Sequence, residues 1–147
     1  MRVQDGDSFV ARLEDGNTRT IRLSGIDAPE RSQALADRSR QNLQRLLEHR
    51  ELRVDVAKQD AYGRSVAQVF TSGEGAVVDV GLAQLESGLA WFYARHRNDL
   101  PPESRDRYAQ AEQAARAAAR GIWQTDKPQA PWDFRRRQQP EQRSTGR

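Results

Sequence analysis

Two segments near the start of the chain have the pattern of a β-hairpin, and this pattern restricts the fold more than any other feature. Residues 8–13 alternate apolar and polar side chains, and residues 18–24 form a second segment of strand type. The intervening residues 14–17 (Glu-Asp-Gly-Asn) predict a tight turn, because Gly16 tolerates the positive φ that such turns need. We therefore expect paired antiparallel strands at the start of the domain.

The segments that follow alternate between strand and helix patterns. Alternating or apolar runs predict strands at 51–57, 65–71 and 76–78. Helical spacing of apolar residues predicts one helix over 36–49, a second capped by Asp79 and a third opened by Pro101-Pro102. This order favours an α+β domain: a five-stranded Greek-key β-barrel of the OB type with three α-helices packed outside it.

The composition excludes several kinds of site. The chain has 147 residues, which suits one domain, and 36% are hydrophobic and 31% charged. It contains no cysteine, which excludes a disulfide scaffold, a thiolate zinc site and a cysteine nucleophile. With only two histidines, His49 and His96, oxygen ligands and hence Ca²⁺ or Mg²⁺ are favoured. No apolar run approaches the length of a membrane span, so we expect no membrane partner.

The C-terminal segment differs from the rest of the chain in charge. The net charge is +3, and residues 133–147 account for it with five arginines against Asp133 and Glu141. We interpret residues 1–132 as the folded domain and 133–147 as a basic, disordered tail; the alternative is a tail that helps to hold a polyanion. No signal-peptide pattern is visible in the chain, and we expect a secreted or periplasmic location for the full-length precursor.

Two short motifs contain the residues best suited to chemistry. Asp7 lies in Asp-Gly-Asp-Ser (5–8), and Arg22, Asp27 and Glu30 lie in the stretch IRLSGIDAPE (21–30). Three carboxylates near an arginine suggest a site where a metal ion and a guanidinium share an anion, most commonly phosphate. Each motif by itself is also compatible with a purely structural turn.

The spacing between Arg22 and Asp27 makes a specific demand on the backbone. The two residues are five apart, so strict strand alternation would place them on opposite faces of a sheet. If they share one site, the strand must end or change phase between them. Gly25 is the predicted position of that bulge or bend.

Read together, these motifs resemble the thermonuclease family, the staphylococcal-nuclease-like domains. The resemblance covers about residues 3–132, and residues 130–132 (Ala-Pro-Trp) resemble the end of bacterial members. It implies the same OB barrel with three helices and a Ca²⁺-dependent phosphodiesterase that cleaves single- or double-stranded DNA and RNA, with 3′-phosphate products. The matching stretches, in the family's order, are DGDSF (5–9), IRLSGIDAPE (21–30), DAYGR (60–64), GLAW (88–91) and GIW (121–123).

The resemblance also implies roles for individual residues. The carboxylates of Asp7 and Asp27 and the backbone carbonyl of Ala28 would bind Ca²⁺. Glu30 would activate the attacking water. The remaining site residues are the phosphate-binding Arg22 and Arg64, the pocket-lining Tyr62, and Tyr93, the nearest counterpart of further nucleotide-contacting tyrosines.

One departure and one alternative accompany this interpretation. Ala61 stands where the best-known secreted member has a lysine that contacts nucleotide phosphate. The alternative function is a non-catalytic nucleic-acid or protein binding module of the same domain type. Such modules commonly lose the carboxylates or arginines that this chain keeps, and we therefore favour a monomeric enzyme.

Overall fold

A computed structural model of the chain describes residues 1–73 and 75–138. The predicted α+β class is confirmed, whereas the count of five strands and three helices is not, since these ranges contain eight strands, four α-helices and two 3₁₀ turns. The strands are β1 (Arg2–Asp5), β2 (Ser8–Arg12), β3 (Thr18–Leu23), β4 (Ile26–Asp27), β5 (Glu51–Gln59), β6 (Ser65–Gly73), β7 (Ala76–Asp79) and β8 (Trp91–Phe92). The helices are α1 (Ala36–Leu47), α2 (Val80–Glu86), α3 (Pro102–Ala117) and α4 (Pro131–Arg137), and the 3₁₀ turns cover Ala94–Asp99 and Gly121–Gln124.

Six of the strands form one sheet in the order β1-β2-β3-β6-β5, with β7 paired to β6. Strands β3 and β6 are parallel, and the other neighbouring strands of this sheet are antiparallel. Strands β4 and β8 form a separate antiparallel pair. The predicted first hairpin is observed as β2 and β3, with Gly16 at a φ of 88° in the turn.

The main apolar core joins this sheet to α1, α2 and α3. Its largest buried side chains include Phe9 and Ile21 from the sheet and Leu43, Leu85 and Tyr108 from the helices, each at most 1% exposed. Each fully buried side chain of this size stabilises the fold by roughly 1.5–3 kcal/mol. Burial of these apolar side chains therefore holds β2 and β3 in place. The first motif lies at the start of β2, and the second begins in β3.

Two helices end earlier than the sequence pattern predicts. Helix α1 ends at Leu47 rather than at 49, and α3 ends at Ala117 rather than near Gly121. Positive φ values follow both ends, 58° at His49 and 53° at Ala119, and such values cannot continue a right-handed helix. Beyond α3 the apolar pattern continues because Ile122 is also buried, whereas Glu48 and His49 beyond α1 are exposed.

Helix α4 runs through the predicted domain boundary at Trp132. It begins at Pro131, a residue type suited to the first helical turn, and continues to Arg137. Its start packs against a second apolar cluster formed around Trp91 and Trp123. The helix thus extends past Trp132 into the segment assigned to the tail, of which residues 139–147 lie outside the described residues. Across the two described ranges, no helix has the length and apolar character needed to cross a bilayer.

Candidate active site

The two sequence motifs meet where β2 begins and β3 ends. Ser8 of β2 pairs with Arg22 of β3, so the turn that precedes β2 lies beside the end of β3. The backbone N–H of Leu23 donates to the main-chain oxygen of Asp7 at 2.8 Å. Antiparallel pairing thus places Asp7 next to Arg22.

A buried amide holds the turn of residues 5–8 in place. Gln84 of α2 is fully buried and donates to the main-chain oxygen of Gly6 at 2.7 Å and to that of Ser39 in α1 at 3.0 Å. A Cβ atom on Gly6 would lie 1.8 Å from Ser39 Oγ, so only glycine allows this turn to approach α1 so closely. The glycine of the first motif therefore sets the position of Asp7 by packing.

The predicted bend at Gly25 is confirmed. Strand β3 ends at Leu23, Gly25 has a φ of 74°, and the chain resumes as β4, which pairs with β8 instead of the main sheet. A Cβ atom at Gly25 would lie 2.4 Å from Leu100, so the position excludes a side chain as well as favouring positive φ. The change of sheet removes the alternation that would have kept Arg22 and Asp27 apart.

Three buried charged residues, Asp7, Arg22 and Asp27, form what we call the site floor. Arg22 Nη1 lies 3.3 Å from Asp7 Oδ2, and Arg22 Nη2 lies 3.5 Å from Asp27 Oδ1. Asp7 is 6% exposed and Asp27 is 1% exposed. The backbone N–H of Ala28 donates to Asp7 Oδ2 at 2.8 Å, which joins the second motif to the first. One guanidinium therefore bridges two carboxylates that are almost closed to solvent.

Burial and neighbouring charges shift the pKa values of the floor. Burial raises the pKa of Asp7 well above its usual value, and the charge of Arg22 opposes this only in part. Burial acts to lower the pKa of Arg22, but Asp7 and Asp27 together raise it. Burial acts to raise the pKa of Asp5, yet hydrogen bonds from Asp7 and Ser8 lower it overall. The floor thus keeps Arg22 charged and has carboxylates that would gain from an added cation.

Glu30 lies at the edge of the floor and contacts an arginine that the sequence analysis did not include in the site. Arg135 Nη1 donates to Glu30 Oε1 at 2.5 Å, and Arg135 Nη2 donates to Asp27 Oδ2 at 2.7 Å. Burial acts to lower the pKa of Arg135, but its bonds to Asp27 and Glu30 raise it. The main-chain N–H of Glu30 donates to the side chain of Gln33 at 2.9 Å, which fixes the loop that carries this carboxylate.

Arg64 and Tyr62 lie on the same cavity as the floor but do not contact it. The cavity has a volume of about 610 Å³, and Arg22, Glu30, Tyr62, Arg64 and Arg135 are among the residues that line it. Arg64 Nε donates to Asp60 Oδ2 at 2.7 Å. Tyr62 is 85% exposed. We call Glu30, Tyr62, Arg64 and Arg135 the site rim.

Tyr93 also lines this cavity, but its ring is already packed. The ring is stacked on Trp132 of α4 with centroids 5.1 Å apart and planes 4° apart, and His96 lies 4.7 Å away. The neighbouring Trp91 is buried and packs edge-on against Trp123, so it belongs to the second apolar cluster. Tyr62 is thus the more open of the two predicted tyrosines.

Arg135 is not among the predicted site residues, because residues 133–147 are interpreted from the sequence as a basic tail. A signal was present: Ala130-Pro131-Trp132-Asp133 combines proline in the first helical turn with an acidic residue after it, which is a helix start. Arg135 lies 105 residues from Glu30 and 108 residues from Asp27 along the chain. No local pattern indicates such a pairing.

The donor atoms of the floor fit a hard divalent cation. The carboxylates of Asp7 and Asp27 both lie within 3.5 Å of Arg22, and Ca²⁺ prefers such oxygen ligands. Within residues 1–73 and 75–138, no group of three His, Asp or Glu side chains is arranged to hold a metal ion. Additional ligands would therefore be main-chain, water or substrate oxygens.

Comparison with known proteins finds similarity over most of the chain. Residues 20–125 match the family described as staphylococcal nuclease homologue. The chain is 31% identical over 141 residues to the micrococcal nuclease of Shigella flexneri, covering 92% of this chain and 78% of that protein. It is 28% identical over 138 residues to an uncharacterized endonuclease of Haemophilus influenzae, covering 94% of this chain and 72% of that protein.

Some relatives are much longer than this chain. An uncharacterized 38.1 kDa protein of Capnoides sempervirens is 33% identical over 116 residues, which is 79% of this chain but 31% of that protein. The chain therefore spans about a third of that relative and about three quarters of the two bacterial ones.

Proposed function

Because the chain belongs to the staphylococcal nuclease homologue family, we propose that it is a Ca²⁺-dependent nuclease that hydrolyses phosphodiester bonds in single- or double-stranded DNA and RNA. The observation that carries this proposal is the site floor, where Arg22 bridges the buried carboxylates of Asp7 and Asp27. Glu30 and Arg64 line the same cavity, so a phosphate that enters it would meet both signs of charge. We further propose that the protein acts as a monomer and is secreted or periplasmic.

Asp7 and Asp27 would hold the cation, with the Ala28 carbonyl as a further ligand. A Ca²⁺ ion bound there supplies positive charge to a non-bridging phosphate oxygen. Both carboxylates already bind positive groups, Asp7 through Arg22 and Asp27 through Arg22 and Arg135, and this supports the assignment of a cation to them. Alanine at position 28 is compatible with the role, since the ligand atom belongs to the main chain.

Arg22 and Arg64 would stabilise the negative charge that builds on the phosphate oxygens in the five-coordinate transition state. Each guanidinium offers several N–H donors in a fixed plane, which suits phosphate. Arg22 is held by buried partners and needs little reorganisation, whereas Arg64 is held by Asp60. Tyr62, exposed at the rim, would support a nucleobase by stacking.

Glu30 would remove a proton from the attacking water, and the 5′ oxygen would leave, so the products would carry 3′ phosphates. Its carboxylate is 36% exposed and reaches the cavity, which gives a water molecule access. A positioned general base of this kind contributes about 10²–10⁴-fold to the rate.

The decisive test is cleavage of single-stranded DNA in Ca²⁺ and again in EDTA. We expect cleavage only with Ca²⁺, and Glu30→Gln should lower kcat by about 10²–10⁴-fold. Glu14→Gln, in the exposed β2–β3 turn, is the matched control and should keep the wild-type rate. Failure of the folded protein to cleave with Ca²⁺ would contradict the proposal, and a near-wild-type rate for Glu30→Gln would remove Glu30 from the mechanism.

One observation favours the alternative of a non-catalytic binding module. Arg135 contacts both Glu30 and Asp27, the proposed base and a proposed cation ligand. Calorimetry distinguishes the alternatives: a binding-only module should bind single-stranded DNA with no Ca²⁺ site coupled to it.

A further inference from the structure

The guanidinium of Arg135 occupies the space between the carboxylates of Asp27 and Glu30. Its two terminal nitrogens contact both oxygens of Asp27, at 2.7 and 3.2 Å, and one oxygen of Glu30, at 2.5 Å. Asp27 is almost fully buried, whereas the side chains of Arg135 and Glu30 are 37% and 36% exposed, so these charge-assisted bonds join a buried carboxylate to groups at the cavity edge. Arg135 is thus a counter-ion of the same groups that the proposed reaction needs free.

Helix α4 is anchored to the body, so the position of Arg135 is set by packing. Trp132 stacks on Tyr93 and meets Trp91 edge-on with ring centroids 5.4 Å apart. The segment before the helix is tied to the Glu30 loop, because the side chain of Gln33 donates to the main-chain oxygen of Gln129 at 2.9 Å. Helix α4 and the Glu30 loop are therefore linked at two places, by the Gln33–Gln129 hydrogen bond and by the Arg135–Glu30 contact.

We propose that Arg135 competes with the divalent cation for Asp27 and Glu30, and so lowers the cation affinity of the site. The inference rests on the proposed function, because it takes the floor to be a Ca²⁺ site. When the cation binds, Arg135 leaves the two carboxylates, and Glu30 becomes available to water.

The competition follows from distance and charge. A Ca²⁺ ion sits about 2.3–2.6 Å from its carboxylate oxygens, and Arg135 nitrogens already lie 2.7 and 3.2 Å from both oxygens of Asp27. Two positive groups at one carboxylate repel each other strongly where little water screens them. Arg22 is farther from Asp27, at 3.5 Å, and has Asp7 as a second partner, so Arg135 is the group that must move.

The rim provides a place for the displaced side chain. A second cavity of about 620 Å³ adjoins the first, and Arg135 lines both. Tyr62, Trp132 and Arg136 also line this second cavity. Rotation of the Arg135 side chain, 37% exposed, can carry the guanidinium toward it without loss of the Trp132 anchor.

The test is Ca²⁺ titration of the folded chain by calorimetry, without nucleic acid. Arg135→Gln should tighten the Kd for Ca²⁺ by about tenfold, because charge-assisted hydrogen bonds of this kind no longer compete with the cation. Arg137→Gln removes the same charge two residues along the helix, from an exposed side chain that lines neither cavity. It should change the Kd by less than about twofold, since solvent screens it.

A second variant keeps the result decisive. Arg135→Lys keeps the charge but loses the two-pronged geometry, and should tighten the Kd by about threefold. It decides the question if Arg135→Gln fails to fold by circular dichroism. A merely structural role for Arg135 would lower Tm in EDTA without tightening Ca²⁺ binding.

A Kd that is unchanged or weaker in the Arg135 variants would overturn the inference, as would the absence of Ca²⁺ binding in every variant. DNA cleavage measured on the same samples tests the proposed nuclease function separately from the competition between Arg135 and Ca²⁺. If the wild type cleaves with Ca²⁺ while the wild type and the Arg135 variants have the same Kd for Ca²⁺, the competition is refuted and the proposed function stands. If no variant cleaves but Arg135→Gln binds Ca²⁺ more tightly, competition stands and the function fails.

Discussion

The site floor and the site rim face one cavity but are built on different parts of the fold. Asp7, Arg22 and Asp27 of the floor are attached to β2, β3 and β4 and are enclosed by the main core. Tyr62 and Arg64 of the rim lie in the turn between β5 and β6, where Asp60 accepts from the backbone N–H groups of both. Charge in the floor is therefore coupled to stability, whereas the charge of Arg64 in this turn can change with little effect on the fold.

The largest expected contrast is between Arg22 and Arg64, the two arginines proposed to bind phosphate. Arg22→Ala should lower the free energy of unfolding by about 3–5 kcal/mol, because Asp7 and Asp27 would remain buried without their partner. Arg64→Ala should lower it by less than about 1 kcal/mol, since its pair with Asp60 lies in a surface turn where solvent still reaches Arg64. Both should reduce kcat/KM by about 10²–10³-fold. Urea unfolding and steady-state kinetics measure the two effects, and equal losses of stability would refute the division into floor and rim.

Next in size is the effect of a side chain at the bend that leads into the floor. Gly25→Ala should destabilise the fold by about 2–4 kcal/mol, because a positive φ and a clash with Leu100 act together. Gly16→Ala is the matched control: its φ is 88°, and nothing lies within 4 Å of the added Cβ. It should cost only about 1 kcal/mol. Thermal unfolding of both variants isolates the contribution of the contact, and similar Tm values would show that Leu100 yields easily.

A smaller effect is expected from the aromatic residue of the rim. Tyr62→Ala should raise KM for single-stranded DNA by about tenfold through lost base stacking, and should leave Tm unchanged because the residue is 85% exposed. Tyr93→Ala is the comparison: it should lower Tm, since the ring packs on Trp132 and His96. A fall in Tm for Tyr62→Ala, or an unchanged KM, would contradict the assignment of Tyr62 to substrate.

The smallest effect concerns pH and the turn of the rim. Burial acts to raise the pKa of Asp60, but hydrogen bonds from Arg64 and Tyr62 lower it below its usual value. The folded state then favours the ionised carboxylate, so the stabilisation is present above the unfolded-state pKa and is lost as pH falls through the folded-state pKa. Asp60→Asn should therefore cost less than about 1 kcal/mol at pH 6, and the difference from wild type should shrink toward pH 3. A difference that grows in acid would contradict this sign.

Much of the floor could be predicted from the sequence because its parts are close along the chain. Arg22 and Asp27 are five residues apart, and a glycine between them indicated the bend that the structure contains. The hairpin turn at 14–17 fixed the register that brings Asp7 beside Arg22. These are local relations, in which backbone freedom and strand pairing leave few alternatives.

The arrangement of the rim could be predicted only in part. The motif DAYGR indicated Tyr62 and Arg64, but not that Asp60 holds the arginine at 2.7 Å. Nothing in the arginine-rich segment indicated that Arg135, and not its neighbours, contacts Asp27 and Glu30. The charge pattern of that segment predicts solvation equally well for each arginine, and only the packing of Trp132 selects which one points to the site.

The residue types alone indicate the charged side chains of the floor, Asp7, Arg22 and Asp27, and the bend at Gly25 that brings them together. Glycines at 6 and 25, where a Cβ would collide with Ser39 and Leu100, leave the backbone little choice there. Three features follow from tertiary packing alone: α4 brings Arg135 to the cavity, Trp132 stacks on Tyr93, and Arg135 contacts the carboxylates of Asp27 and Glu30. These contacts join residues far apart in the chain, and their geometry follows from the summed burial of many side chains, which no short segment encodes.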